Sequence, residues 1–142
     1  METRILSLNE ANSMLPLLKS IVIDVMEHWN VILAKREEVD KLKKQAPGSA
    51  ELKETKVELN SFIDKINGYI KEIENLGCLV EEFKRGIINF PSLYHGRKVF
   101  LCWKPDEKEV NHWHELDETF SSRVKIKDPS EFLIEKPKIQ RQ

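Results

Sequence analysis

The sequence predicts an α+β fold: a long antiparallel two-helix hairpin, coiled-coil-like, packed at its base on a small three- to four-stranded antiparallel sheet. Three observations lead there. Apolar residues step alternately by three and four over two long stretches, 8–39 and 52–76. Pro47-Gly48-Ser49 stops the first stretch and joins it to the second by a short turn. Beyond Gly77 the pattern gives way to short runs of Val, Ile, Phe and Leu punctuated by Gly and Pro.

The first helix, about 7–45, opens on Ser7-Leu8-Asn9-Glu10, a capping box in which serine and glutamate each satisfy the other's backbone N–H. Its seam is Leu8, Ala11, Leu15, Leu18, Val22, Val25, Trp29, Ile32, Arg36 and Val39, with only Arg36 breaking the apolar run. Pro16 lies within it and predicts a kink. Ser49 caps the second helix, about 50–76, whose seam is Leu52, Thr55, Leu59, Phe62, Ile66, Tyr69, Ile73 and Leu76; Gly77 is suited to the left-handed residue that follows. Folding about Pro47 sets Val39 near Thr55, Ile32 near Phe62 and Leu18 near Leu76. Met14, Ile21, Met26, Ile63 and Ile70 widen both apolar faces at the end away from the turn. The hairpin therefore has a thick base that must pack on something and a thin, charged tip.

Leu79–Phe83 and Gly86–Phe90 read as short strands, with Pro91 closing the second. His95-Gly96 marks a turn, Lys98–Trp103 a strand apolar on both faces, and Glu109–Leu116 a strand pairing back, so the sheet spans about 78–116. One face can take the hairpin base. The other needs a second cover, either another subunit or the chain's own tail. Residues 1–125 read as one domain, and 126–142, with Pro129 and Pro137, as an extended, partly ordered tail.

A chain of 142 residues is the size of one domain. Its formal net charge of -1, with no basic stripe or exposed stacking aromatics, argues against nucleic acid as a partner. The longest unbroken apolar run, Val99–Trp103, falls far short of the roughly 18 residues a membrane helix needs. METRILSLNE lacks a basic segment followed by an apolar one, and Cys78 and Cys102 are too few for a disulfide framework, so a cytoplasmic protein with free thiols is expected.

The stretch HWHELD, 112–117, raises the question of a metal. On a strand His112 and His114 share a face and could chelate, while Glu115 points the other way. The spacing matches neither H-E-x-x-H nor a metallohydrolase pattern, and three protein ligands are not assembled locally. A half-buried histidine pair with side-chain and backbone partners is the plainer reading, and no cofactor is expected. His28-Trp29 and Cys102-Trp103 read as packing, and neither a phosphate loop nor a dinucleotide fingerprint is present.

Several short motifs recur in a known order. Leu8-Asn9-Glu10-Ala11-Asn12-Ser13-Met14-Leu15-Pro16-Leu17-Leu18 opens the series; Arg85–Pro91, Gly96-Arg97, Leu101-Cys102-Trp103 and Trp113–Asp117, with Phe120 and Arg123, complete it. Over about residues 5–125 the chain resembles the prokaryotic family catalogued as domain of unknown function 2203. The resemblance implies a helical hairpin plus a small sheet whose polar motifs converge, and no established activity. Asn89 stands where the family pattern has an aspartate, and His112 where it has an aromatic.

Three functional expectations follow. The first is a non-enzymatic interaction or assembly protein, a homodimer with a partner contact at the hairpin tip around Lys43, Lys44 and Glu51. The second is a small anionic-ligand site or enzyme, with Arg97, Trp103 and Arg123 binding and His114, Glu115 and Asp117 as candidate catalytic groups. The third is a metal protein through His112 and His114.

Overall fold

The computed structural model describes residues 4–132. Helix α1 (Leu8–Ser13) leads into α2 (Leu15–Gln45), which reverses into α3 (Ala50–Asn75). Strands β1 (Leu79–Glu82), β2 (Ile87–Tyr94), β3 (Arg97–Trp103), β4 (His112–His114) and β5 (Val124–Lys125) form one antiparallel sheet in sequence order. The sheet has five strands rather than three or four, because the chain returns after residue 123 to pair Val124 with Trp113.

The capping box forms as the sequence predicts: Ser7 Oγ accepts the Glu10 N–H and Glu10 Oε1 accepts the Ser7 N–H, each at 3.0 Å. In place of one kinked helix there is a break at Met14, with Pro16 in the first turn of α2. Proline has no N–H for a continuous helix and its ring crowds the preceding turn, but it is tolerated where a helix begins.

The α3 seam faces α2 along its length. On α2 the buried line runs through Val25, Ile32 and Val39, with Lys35, not Arg36, at the charged step. Lys35 Nζ reaches across to Glu58 Oε2 at 2.5 Å, while Arg36 is exposed. The seven-residue line itself is unchanged; the step between Ile32 and Val39 falls three residues on rather than four. His28 is a packing residue: its ring lies 5.4 Å from Phe62 and 5.1 Å from Tyr69 between centroids.

Register assigns the two sheet faces. Ile88, Phe90, Val99, Leu101 and Trp103 point inward and join Leu8, Ala11, Leu18, Val22, Val25, Ile66 and Ile73 in the core. Asn89, Pro91, Phe100, Cys102, His112 and His114 share the outer face. Strand β2 does not end at Pro91. The Pro91 carbonyl points away from β3 and accepts the Leu6 N–H at 2.7 Å, so the missing proline N–H lies on the same side, past the end of β1, and costs no ladder bond. Strand β4 is much shorter than the expected 109–116, since the chain leaves the sheet after His114.

The cover of the outer face is the chain's own. Residues 115–123 fold back over its Asn89–Cys102 end, with a 3-10 turn at Phe120–Ser122. Residues 126–132 of the expected tail also pack: Phe132 bridges to Tyr94, and Glu131 Oε2 accepts from the Tyr94 hydroxyl at 3.0 Å. The rest of that tail lies outside the described residues. No helix among them is long and apolar enough to cross a membrane.

Candidate functional site

Polar side chains converge on the outer sheet face under the returning segment. Glu81 lies at a bulge between Val80 and Glu82, on the strand face it shares with Asn89. Its carboxylate accepts the Asn89 Nδ2–H and the Phe120 backbone N–H, each at 2.9 Å. His114 is buried beside it. The ring's Nδ1–H donates to the Glu115 carbonyl at 2.8 Å, and Nε2 lies 3.2 Å from both Asn89 Oδ1 and Glu81 Oε1. Both ring nitrogens are therefore engaged by protein groups.

A second cluster adjoins the first. Glu107, from the β3–β4 turn, holds Arg123 bidentately at 2.9 and 2.6 Å and also accepts the Lys104 N–H at 3.1 Å. Its backbone carbonyl accepts the Trp103 indole N–H at 2.9 Å. Burial alone would raise the Glu107 carboxyl, but the Arg123 guanidinium and the Lys104 N–H outweigh it and hold the group below its ordinary value. Burial depresses His112 first, and Arg123 adds to the effect, so the ring takes up a proton less readily than a free imidazole. Its buried Nδ1 has no hydrogen-bond partner and lies 3.7 Å from Glu107 Oε2, too far for a bond to a carboxylate already engaged. Burial pushes the Cys102 thiol up to about 11. Phe120 lies under two guanidiniums, Arg123 at 4.1 Å and Arg85 at 4.8 Å from the ring centroid.

The residues proposed to bind an anion are separately engaged. Arg97 pairs bidentately with Glu115 at 3.2 and 2.6 Å. Trp103 and Arg123 meet through Glu107, Trp103 from the core side. His114 joins Asn89 and Glu81, and Asp117 is exposed on the returning segment. His112 and His114 share a face as their spacing demands, but both His114 nitrogens have protein partners. Among the described residues no group of three or more His, Cys, Asp or Glu side chains is placed to hold a metal ion.

Sequence reasoning missed Glu81 and Glu107. Strand alternation puts Glu81 on the same face as Leu79 and Asn89, but nothing in Leu79–Phe83 distinguishes it from a solvated glutamate. Glu107 belongs to the charged run Lys104–Lys108, whose composition is that of a solvated turn.

No curated protein and no solved structure matches the chain. A family model does match, over residues 4–126, and it spans the capping box, both long helices, all five strands and every residue of the two polar clusters. The chain belongs to the family described as uncharacterized conserved protein (DUF2203).

Proposed function

We propose that this is a non-enzymatic assembly protein that works as a homodimer, with the hairpin as the contact element. One observation carries the reading: an open apolar groove of about 230 Å³ runs along the side of the hairpin beside the β1–β2 turn. Trp29 and Ile32 of α2, Ile63 and Ile70 of α3, and Phe83 line it. The α3 residues Leu59, Ile63 and Ile70 recur at helical spacing, the form of surface that receives another helix. A net charge of -1 adds little repulsion between copies.

The buried pairing of His114 and Arg123 also favours this reading over a ligand pocket at those residues. Beyond Ile32 and Ile66 the hairpin leaves the core, and its charged tip around Lys43, Lys44 and Glu51 is the surface for a further protein partner. Two buried free thiols fit a reducing cytoplasm.

Sedimentation equilibrium tests the dimer. The wild type should run at twice the 16.7 kDa chain mass at micromolar concentration. Ile63→Lys should run as a folded monomer, with helical circular dichroism retained. A wild type that stays monomeric up to about 100 μM would remove the proposal.

A further inference from the structure

The structure carries a second opening, which shares no lining residue with the hairpin groove and has Phe120 as one wall. A cleft of about 530 Å³ lies between α2, the β1–β2 turn, the β3–β4 turn and the returning segment. Its apolar surface comes from the Met26 thioether, the Pro105 ring and the Phe120 ring. Lys84, Arg85 and Lys104 stand around it against a single lining carboxylate, Asp106. We propose that this cleft binds a small organic anion: an aromatic or short acyl body seated on Met26, Pro105 and Phe120, with a carboxylate or phosphate held by Lys84, Arg85 and Lys104.

Three features support it. The volume is within the range of small-molecule sites. The walls are fixed before any ligand arrives. Gly86, at φ +67°, sits so close to α2 that a Cβ there would lie 2.6 Å from Val22 Cγ1 and 2.8 Å from Met26 Sδ. On the far side Glu81 holds the Phe120 N–H, and Arg123, itself locked to Glu107, lies over the ring. Such pre-organisation lowers the cost of binding.

The rim cations are also exchangeable, unlike those of the buried clusters. Arg85 is 55% exposed and pairs with a neighbouring glutamate, Glu82, while Lys104, 25% exposed, pairs with Asp106, 72% exposed. Surface pairs of this kind are worth little and yield readily to a better anion. Arg85 also lies over Phe120, which aligns its guanidinium edge for a planar carboxylate or a phosphate. Anion binding is thereby placed not at Arg123, which is buried against Glu107, nor at Arg97, whose pair with Glu115 is as exposed as that of Arg85, but at cations that line a cleft with an apolar floor. It does not depend on the oligomeric state.

Phenyl phosphate titrated into 15N-labelled full-length protein is the test, with inorganic phosphate and benzyl alcohol as the separated halves of the probe. Saturable shifts are expected at Lys84–Gly86, Lys104, Asp106 and Phe120, with each half binding at least about fivefold more weakly. Lys84→Glu/Lys104→Glu, a change confined to the rim, should weaken phenyl phosphate about tenfold, and raised salt should weaken the wild type. Any of three results overturns the proposal. One is no saturation by about 10 mM, and another is shifts centred on the hairpin groove or elsewhere. The third is inorganic phosphate binding as tightly as phenyl phosphate, which would leave the apolar surface without a role.

Discussion

Replacing Arg123 by alanine distinguishes a structural cation from a ligand-binding one. The Arg123 and Glu107 side chains are only 11% and 18% exposed and are joined by two charge-assisted bonds. Removing one member of a buried pair costs about 3–5 kcal/mol, because the other charge is left without its partner. Here Glu107 keeps the Lys104 N–H and some solvent, so we expect a loss of about 2–3 kcal/mol. For a domain of this size that lowers Tm by roughly 6–10 °C. Urea unfolding of the wild type, Arg123→Ala, Glu107→Ala and the double variant at neutral pH measures it. The cycle should return a coupling of about 1–2 kcal/mol. If Arg123→Ala stays within about 0.5 kcal/mol of the wild type and the coupling is nil, the reasoning fails, and Arg123 becomes available again as a cation for a ligand.

Acid should weaken the same cluster. His112 and Glu107 both bind protons less readily folded than unfolded, so the stability they contribute is complete above about 6.5. It drains as pH falls through the folded-state value of His112 and then, below 4.5, through that of Glu107; a urea midpoint that stays flat between about pH 7 and pH 4 would contradict this. The thiols of Cys78 and Cys102, pushed up by burial to about 12 and about 11, should react with a disulfide reagent near pH 8 at least about a hundredfold more slowly in the native protein than after unfolding. Fast native labelling would show that one of them is accessible. Gly86→Ala meets both the positive φ and the contacts with Val22 and Met26 and should cost about 2–4 kcal/mol. Gly48→Ala, also at positive φ but with nothing within 4 Å of the added Cβ, should cost only about 1 kcal/mol in the same denaturation assay.

The hairpin and the inner sheet face were legible in the sequence because both arise from short-range periodicity. The α3 seam from Leu52 to Leu76 needs only a 3.6-residue helix with one apolar stripe, and the capping box needs only Ser7 and Glu10 three residues apart. The same local logic set His112 and His114 on one face of a strand and identified Val99, Leu101 and Trp103 as a buried row. It also marked where the polar motifs of the second half would lie.

What those motifs do was decided by tertiary structure. Two carboxylates in plain sequence contexts, Glu81 in a bulge and Glu107 in a charged turn, engage the residues that looked functional in isolation. Glu81 lies 3.2 Å from His114, which is 33 positions away, and Glu107 binds Arg123, 16 positions away. A sequence pattern records which side chains carry charge. Whether a charge is free or spent depends on which opposite charge the returning chain brings within about 3 Å, and that is fixed by the path of residues 115–123 across the sheet.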